Sequence, residues 1–209
     1  MQLTGQIVLR NARIVVPLAV VQATAYFTLN HFPPFPSRTL PLTWIDYAIP
    51  FLPWTMWPYL LMMFGPTVLA LSVRQPAVFR QALHAYILGY VVTYAFHAFW
   101  PTHCERPSVG EDGTFQTWAY ATMMVLDSPQ SCFPSAHIVG PAILCWAFWR
   151  DGYRLGRWLL LAFPFFSLTI LTTKQHYVWD LLGGYVLVAL AIGFSYAVRW
   201  RTERPQAQG

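Results

Sequence analysis

Taken as a pattern of hydrophobic and polar positions, the chain alternates long apolar runs with short polar breaks. Apolar residues dominate about 14–30, 54–73, 81–100, 135–149, 158–173 and 176–198, and most of these runs reach or approach the ~20 residues a helix needs to cross a bilayer. They predict six transmembrane helices and an all-α bundle, because backbone groups in hydrocarbon must be satisfied within their own segment. Residues 31–41 hold four prolines and cannot continue a helix. Pro50, Pro53, Pro58 and Pro66 interrupt the next run, predicting kinks and an interfacial segment around Asp46. Residues 101–134 are the longest polar stretch and read as an outer loop.

Composition strengthens the membrane reading. The 209 residues are 56% hydrophobic and only 10% charged, against about 25% charged in soluble domains. Length favours one domain over 1–209. The formal charge of +5 does not point to nucleic acid, because the basic residues are scattered between apolar runs. Topology accounts for them better: with both termini cytoplasmic, ten of the thirteen basic residues fall inside, leaving Arg38, Arg106 and Lys174 outside. Arg10 and Arg13 before an apolar run, with Ala23-Thr24-Ala25 further on, also resemble a cleavable leader; the segment is read as a retained span. Trp44, Trp54, Trp100, Trp149, Trp158 and Trp200 sit near span ends, as an interfacial belt requires.

The chemistry gathers on the outer face. Cys132-Phe-Pro-Ser-Ala-His137 leads into the fourth span, where free N–H groups at a helix start attract anions. His176 and Asp180 are four apart and share a helix face, so the carboxylate can orient the imidazole. Each residue has a plain alternative: Ser135 as an N-cap, His137 as a satisfied polar residue, Arg106 as a surface arginine, and His176–Asp180 as a structural pair. The charge-derived topology brings all of them to one side, and that convergence points to a phosphate site. Cysteine and histidine spacing gives no closed metal-ligand set, so no metal or cofactor is expected. Glu105, Glu111, Asp112 and Asp127 read as a solvated loop, with headgroup contact as the alternative.

Arg106-Pro107, Pro134-Ser135-Ala136-His137 and His176 with Asp180 resemble the three signature blocks of the type 2 phosphatidic acid phosphatase superfamily. The resemblance covers about half the chain, from Phe99 to Asp180. Three usual features differ: Phe99 stands at the first-block lysine, Ala136 at the second-block glycine, and Thr169-Ile170 at the third-block Ser-Arg. Gln175-His176-Tyr177-Val178-Trp179-Asp180 is closer to the branch containing inositol phosphorylceramide and sphingomyelin synthases, which are transferases.

The resemblance implies a catalytic set of His176 as nucleophile, Asp180 as its orienting carboxylate and His137 as general acid. It implies a phosphate cradle of Arg106, Ser135 and Ala136, with Lys174, the only lysine, replacing a missing cation and His103 a weaker substitute. Cys104 and Cys132 each precede a block by two residues, so a disulfide between them is expected, worth about 3–4 kcal/mol by loop closure; Cys145 is expected to be a free thiol. The implied activity is lipid-phosphate or lipid-diphosphate hydrolysis through a phosphohistidine, in a multi-pass protein of a bacterial inner membrane with its site on the periplasmic side. Transfer to an alcohol acceptor is the alternative, and a non-enzymatic transporter or assembly subunit a third.

Overall fold

The structure, a computed structural model, describes residues 2–110 and 113–203. Thr4 opens α1 (Gly5–His31), its hydroxyl accepting from the Ile7 N–H, and the Pro33-Pro34 pair follows its end. Thr43 and Asp46 make reciprocal capping bonds around the short α2 (Trp44–Ala48). A single 3₁₀ turn, Pro53–Thr55, runs into α3 (Met56–Ser72), and α4 spans Pro76–Phe99. α4 starts five residues before the expected boundary because proline is well tolerated in a first helical turn, where its missing N–H has no partner to lose.

Among the described residues, five stretches are long and apolar enough to cross a membrane: Gly5–His31, Pro53–Ser72, Pro76–Phe99, Arg154–Thr172 and Val178–Arg199. The fourth of these is built from α7 (Arg154–Ser167) and α8 (Thr169–Thr172), and the fifth is α9 (Val178–Glu203). The expected fourth span is the shorter α6 (Ala136–Arg150), whose 15 residues rise about 22 Å against a hydrocarbon core of ~30 Å. α6 is also largely enclosed, with 11 of its 15 residues buried, and it packs against α3, α4, α7 and α9. It begins beside the start of α9, since the Ser135 N–H donates to the Asp180 carbonyl at 3.1 Å. The chain therefore leaves that end along α6, returns through α7 and α8, and leaves again along α9.

Residues 101–134 are not simply a polar loop. α5 (Phe115–Leu126) lies within them, exposing Trp118, Val125 and Leu126 while burying Ala119 and Tyr120. This helix is too short to span, and the acids and glycines before it mask a 12-residue, largely apolar run. Among the described residues there are no strands, only isolated bridges that pair Arg38 with Thr102 and His103 with Gln130.

Polar clamps close both ends of the bundle. At one end Asn11 donates to the Leu71 and Val73 carbonyls at 3.0 and 2.8 Å, and Asp151 pairs with Arg74 at 2.9 Å. At the other, Asn30 donates to the Ser128 and Gln130 carbonyls, each at 2.9 Å. Between the clamps the outward surface is apolar, with Val20, Val21, Leu61, Val91, Leu161 and Leu190 all exposed; such a surface suits lipid rather than water.

Candidate functional site

The site lies where the starts of α6 and α9 meet. The Tyr177 N–H donates to Asp180 Oδ2 at 2.8 Å, and the Val178 N–H donates to Asp46 Oδ1 at 2.8 Å. Two carboxylates thus cap the first turn of α9, from within the helix and from α2, where negative charge favours a helix start. That capping fixes the turn carrying His176. Its Nδ1 is 3.4 Å from Asp180 Oδ2, an ion-pair separation without hydrogen-bond alignment, so Nδ1 has no hydrogen-bond partner among the described residues.

His176 Nε2 faces His137 Nδ1 at 2.9 Å, and His137 Nε2 faces the Tyr59 hydroxyl at 3.1 Å. The direction of the row follows the proton on His176. With it on Nδ1, on the Asp180 side, Tyr59 O–H donates to His137 Nε2 and His137 Nδ1–H to His176 Nε2; with it on Nε2, His176 donates to His137 Nδ1 and His137 Nε2–H to the Tyr59 oxygen. Two residues that could act as base and acid, 39 apart in sequence, thus form one hydrogen-bonded pair.

Ser135 precedes α6 but does not act as its side-chain cap. The hydroxyl is fully buried and has no hydrogen-bond partner among the described residues, which leaves the N-cap reading without support here. The adjacent Ala136 carbonyl accepts from the Tyr90 hydroxyl at 3.4 Å, and the buried His97 contacts the Pro134 carbonyl at 3.2 Å through Nε2. α9 approaches this turn closely: a Cβ on Gly184 would stand 2.8 Å from Ile138 Cβ and 3.2 Å from the Ser135 carbonyl, and one on Gly183 would meet the Phe133 ring.

Arg106 is almost wholly buried and pairs with Asp127, to its carboxylate at 3.1 Å and to its carbonyl. Burial opposes the guanidinium charge, but the Asp127 carboxylate outweighs it and lifts Arg106 above its ordinary value. The Tyr26 hydroxyl donates to the other Asp127 oxygen. Asp127 is therefore not the solvated loop acid expected: Arg106 and Tyr26 supply the charge and donor that make its burial tolerable. Glu111 and Asp112 lie outside the described residues.

A cavity of about 380 Å³ runs from this centre outward, lined by His137, Asp127 and Tyr26 at its polar parts and by Phe27, Phe64 and Leu126 on apolar parts. The last three side chains are exposed on the flank of the bundle. Lys174 is turned elsewhere. At φ 55°, its ammonium donates to the Asp46 and Ile49 carbonyls at 3.0 and 2.6 Å, closing the C-terminal end of α2. His103 contacts Thr39 Oγ1 at 2.9 Å and is part of the outer loop.

The disulfide expected between Cys104 and Cys132 is not formed in this structure, where Cys104, Cys132 and Cys145 are free thiols. Cys104 Sγ donates to Asp180 Oδ2 at 3.2 Å. The donor atoms of Cys104, Cys132, His176 and Asp180 lie within 4.8 Å of one another, and all four residues are buried. Spacing along the chain could not disclose this grouping, because its members come from two segments of the outer loop and a helix start. Asp127, Tyr26 and Tyr59 were missed for a similar reason: nothing local separates them from ordinary loop and helix residues.

No family model, no curated protein and no solved structure matches the chain.

Proposed function

We propose that the protein is a membrane phosphatase that removes phosphate from a lipid monophosphate or diphosphate through a phosphohistidine. The observation that carries this reading is the 2.9 Å contact between His137 Nδ1 and His176 Nε2, with Asp180 on the far side of His176. His176 Nε2 attacks phosphorus, the P–O bond to the lipid breaks, and His137 gives its proton to the departing oxygen. Water then attacks the phosphohistidine, losing its proton to His137, and phosphate leaves. The Ser135 hydroxyl and the first N–H groups of α6 face the developing charge on the equatorial oxygens.

Arg106 contributes through Asp127 and the wall of the cavity. Lys174 supports the site indirectly in this reading, by fixing the α2 end whose Asp46 caps α9. The apolar side of the cavity suits a lipid tail and its polar end a phosphate. The six-crossing topology with cytoplasmic termini belongs to the same proposal. Arg10, Arg74 and Asp151 cluster at one end of the bundle, with Arg106, His137 and His176 at the other, the division that positive-inside orientation requires. A bacterial inner membrane with the site on its periplasmic side is the setting proposed.

Transfer to an alcohol is the second reading, favoured by the near-complete burial of His176, which limits water at the phosphoenzyme. Phosphate release from phosphatidic acid and from polyprenyl diphosphate, measured with and without an alcohol acceptor, separates the two. Hydrolysis predicts free phosphate without acceptor; transfer predicts negligible release until acceptor is added. His176→Ala abolishes both, whereas a transporter or assembly subunit would keep its function.

A further inference from the structure

We infer that Cys104, Cys132, His176 and Asp180 form a binding site for a soft divalent transition metal of the zinc class. Two sulfurs, one imidazole nitrogen and one carboxylate oxygen converge with every pair within 4.8 Å. A zinc tetrahedron with Zn–S near 2.3 Å and Zn–N or Zn–O near 2.0–2.2 Å has edges of about 3.3–3.8 Å. The 4.8 Å bound exceeds those edges by about 1.0–1.5 Å.

Two features point to a missing occupant rather than to a completed hydrogen-bond network. His176 Nδ1 and Asp180 Oδ1 are both buried and both without a hydrogen-bond partner among the described residues, although buried polar atoms ordinarily find one. The thiols are also held in place by backbone: the Cys104 N–H donates to the Pro129 carbonyl at 3.0 Å and the Cys132 N–H to the Thr102 carbonyl at 3.2 Å. The imidazole has the outer partner that metal-bound histidines usually have, since His176 Nε2, when protonated, can donate to His137 Nδ1.

The donor set selects the metal. Thiolate with imidazole favours zinc-class ions, while magnesium and calcium take oxygen ligands. On binding, both thiols lose their protons to solvent, His176 carries its proton on Nε2 so that Nδ1 is free to ligate, and two metal–sulfur bonds form; no oxidant or reductant takes part. The four protein ligands fill a tetrahedron, the closed arrangement of a structural rather than a hydrolytic zinc. A metal on Nδ1 keeps the proton on Nε2 and so withholds that nitrogen from phosphorus. This consequence rests on the proposed phosphatase reading; the binding site itself does not.

Cobalt(II) titration of the purified full chain in detergent, kept reduced with a phosphine, tests the site. The expected result is one Co²⁺ per chain, with the near-ultraviolet thiolate-to-cobalt band and strong visible bands of a tetrahedral ion, displaced by Zn²⁺. Cys104→Ser and Cys132→Ser each remove the thiolate band in part and weaken binding at least 100-fold, and Cys145→Ser leaves both unchanged. Circular dichroism of the metal-free variants establishes that they are folded, and Cys132→Ala serves if Cys132→Ser is not. Absence of the thiolate band in folded protein, binding unaffected by the Cys104 and Cys132 changes, or a persistent disulfide between the two sulfurs would each overturn the proposal. If cobalt binds as described but no lipid phosphate is hydrolysed, the metal site stands and the phosphatase reading fails.

Discussion

His137 Nδ1 and His176 Nε2 stand 2.9 Å apart, closer than two groups can remain while a phosphoryl group lies between them. Substrate must part the rings, exchanging one hydrogen bond for contacts to phosphate. Orthovanadate, which adopts the five-coordinate geometry of phosphoryl transfer, should inhibit competitively, and His137→Ala should weaken its inhibition by at least ~10-fold, the loss expected when one charge-assisted hydrogen bond of about 1.5–3 kcal/mol disappears. Inhibition constants for the two proteins provide the check.

Arg106 and Asp127 bury opposite charges together, with side-chain exposures of 2% and 4%. Removing one partner leaves the other buried and unpaired, at a cost of about 3–5 kcal/mol. Asp127→Asn, which keeps the shape but loses the charge, should therefore lower the melting temperature in detergent markedly, and Asp127→Ala, which also loses the acceptor oxygen, at least as much. An Asp127→Asn protein that melts with the wild type would show that charge pairing is not what holds this loop.

At Gly184 the limit is space. Alanine there would bring Cβ to 2.8 Å from Ile138 Cβ, and overpacking of this kind costs about 1–3 kcal/mol. The strain falls on the first turn of α6, so Gly184→Ala should reduce phosphate release by more than its stability loss explains. Gly193, with nothing within 4 Å of an added Cβ, is the control: Gly193→Ala should leave activity unchanged.

The Cys104 thiol is pushed far above its ordinary value of 9.0, first by burial, then by Cys132 and Asp180. A thiol kept protonated in the folded protein costs nothing below the value of the unfolded chain. Above about pH 9 the unfolded chain ionises while the folded one does not, and stability falls by up to ~1.4 kcal/mol per pH unit. Metal-free protein should thus lose stability from pH 9 upward, and Cys104→Ala should flatten that loss. Thermal melts at pH 7.5, 9 and 10 measure it.

The all-helical architecture was legible in the sequence because membrane helices are written in long apolar runs. The juxtaposition of Ser135 with Asp180 and of His137 with His176 followed from topology. Other features were not legible because they depend on tertiary placement. Lys174, the obvious spare cation, is committed to the carbonyls of α2, and Asp127, ordinary in a polar stretch, is the buried partner of Arg106. α5 escaped because twelve residues give a weak signal among acids and glycines. The four-donor cluster escaped because Cys104, Cys132 and His176 are far apart in sequence and meet only when α9 packs against the outer loop.

Phosphoenzyme trapping tests the central claim most directly. Purified protein is mixed with ³²P-labelled lipid phosphate, quenched within a turnover, and digested. The account predicts an acid-labile, alkali-stable label on the peptide containing His176, absent in His176→Ala and accumulating in His137→Ala with a substrate whose leaving group needs no proton. A label on another residue, or turnover undiminished in His176→Ala, would contradict it.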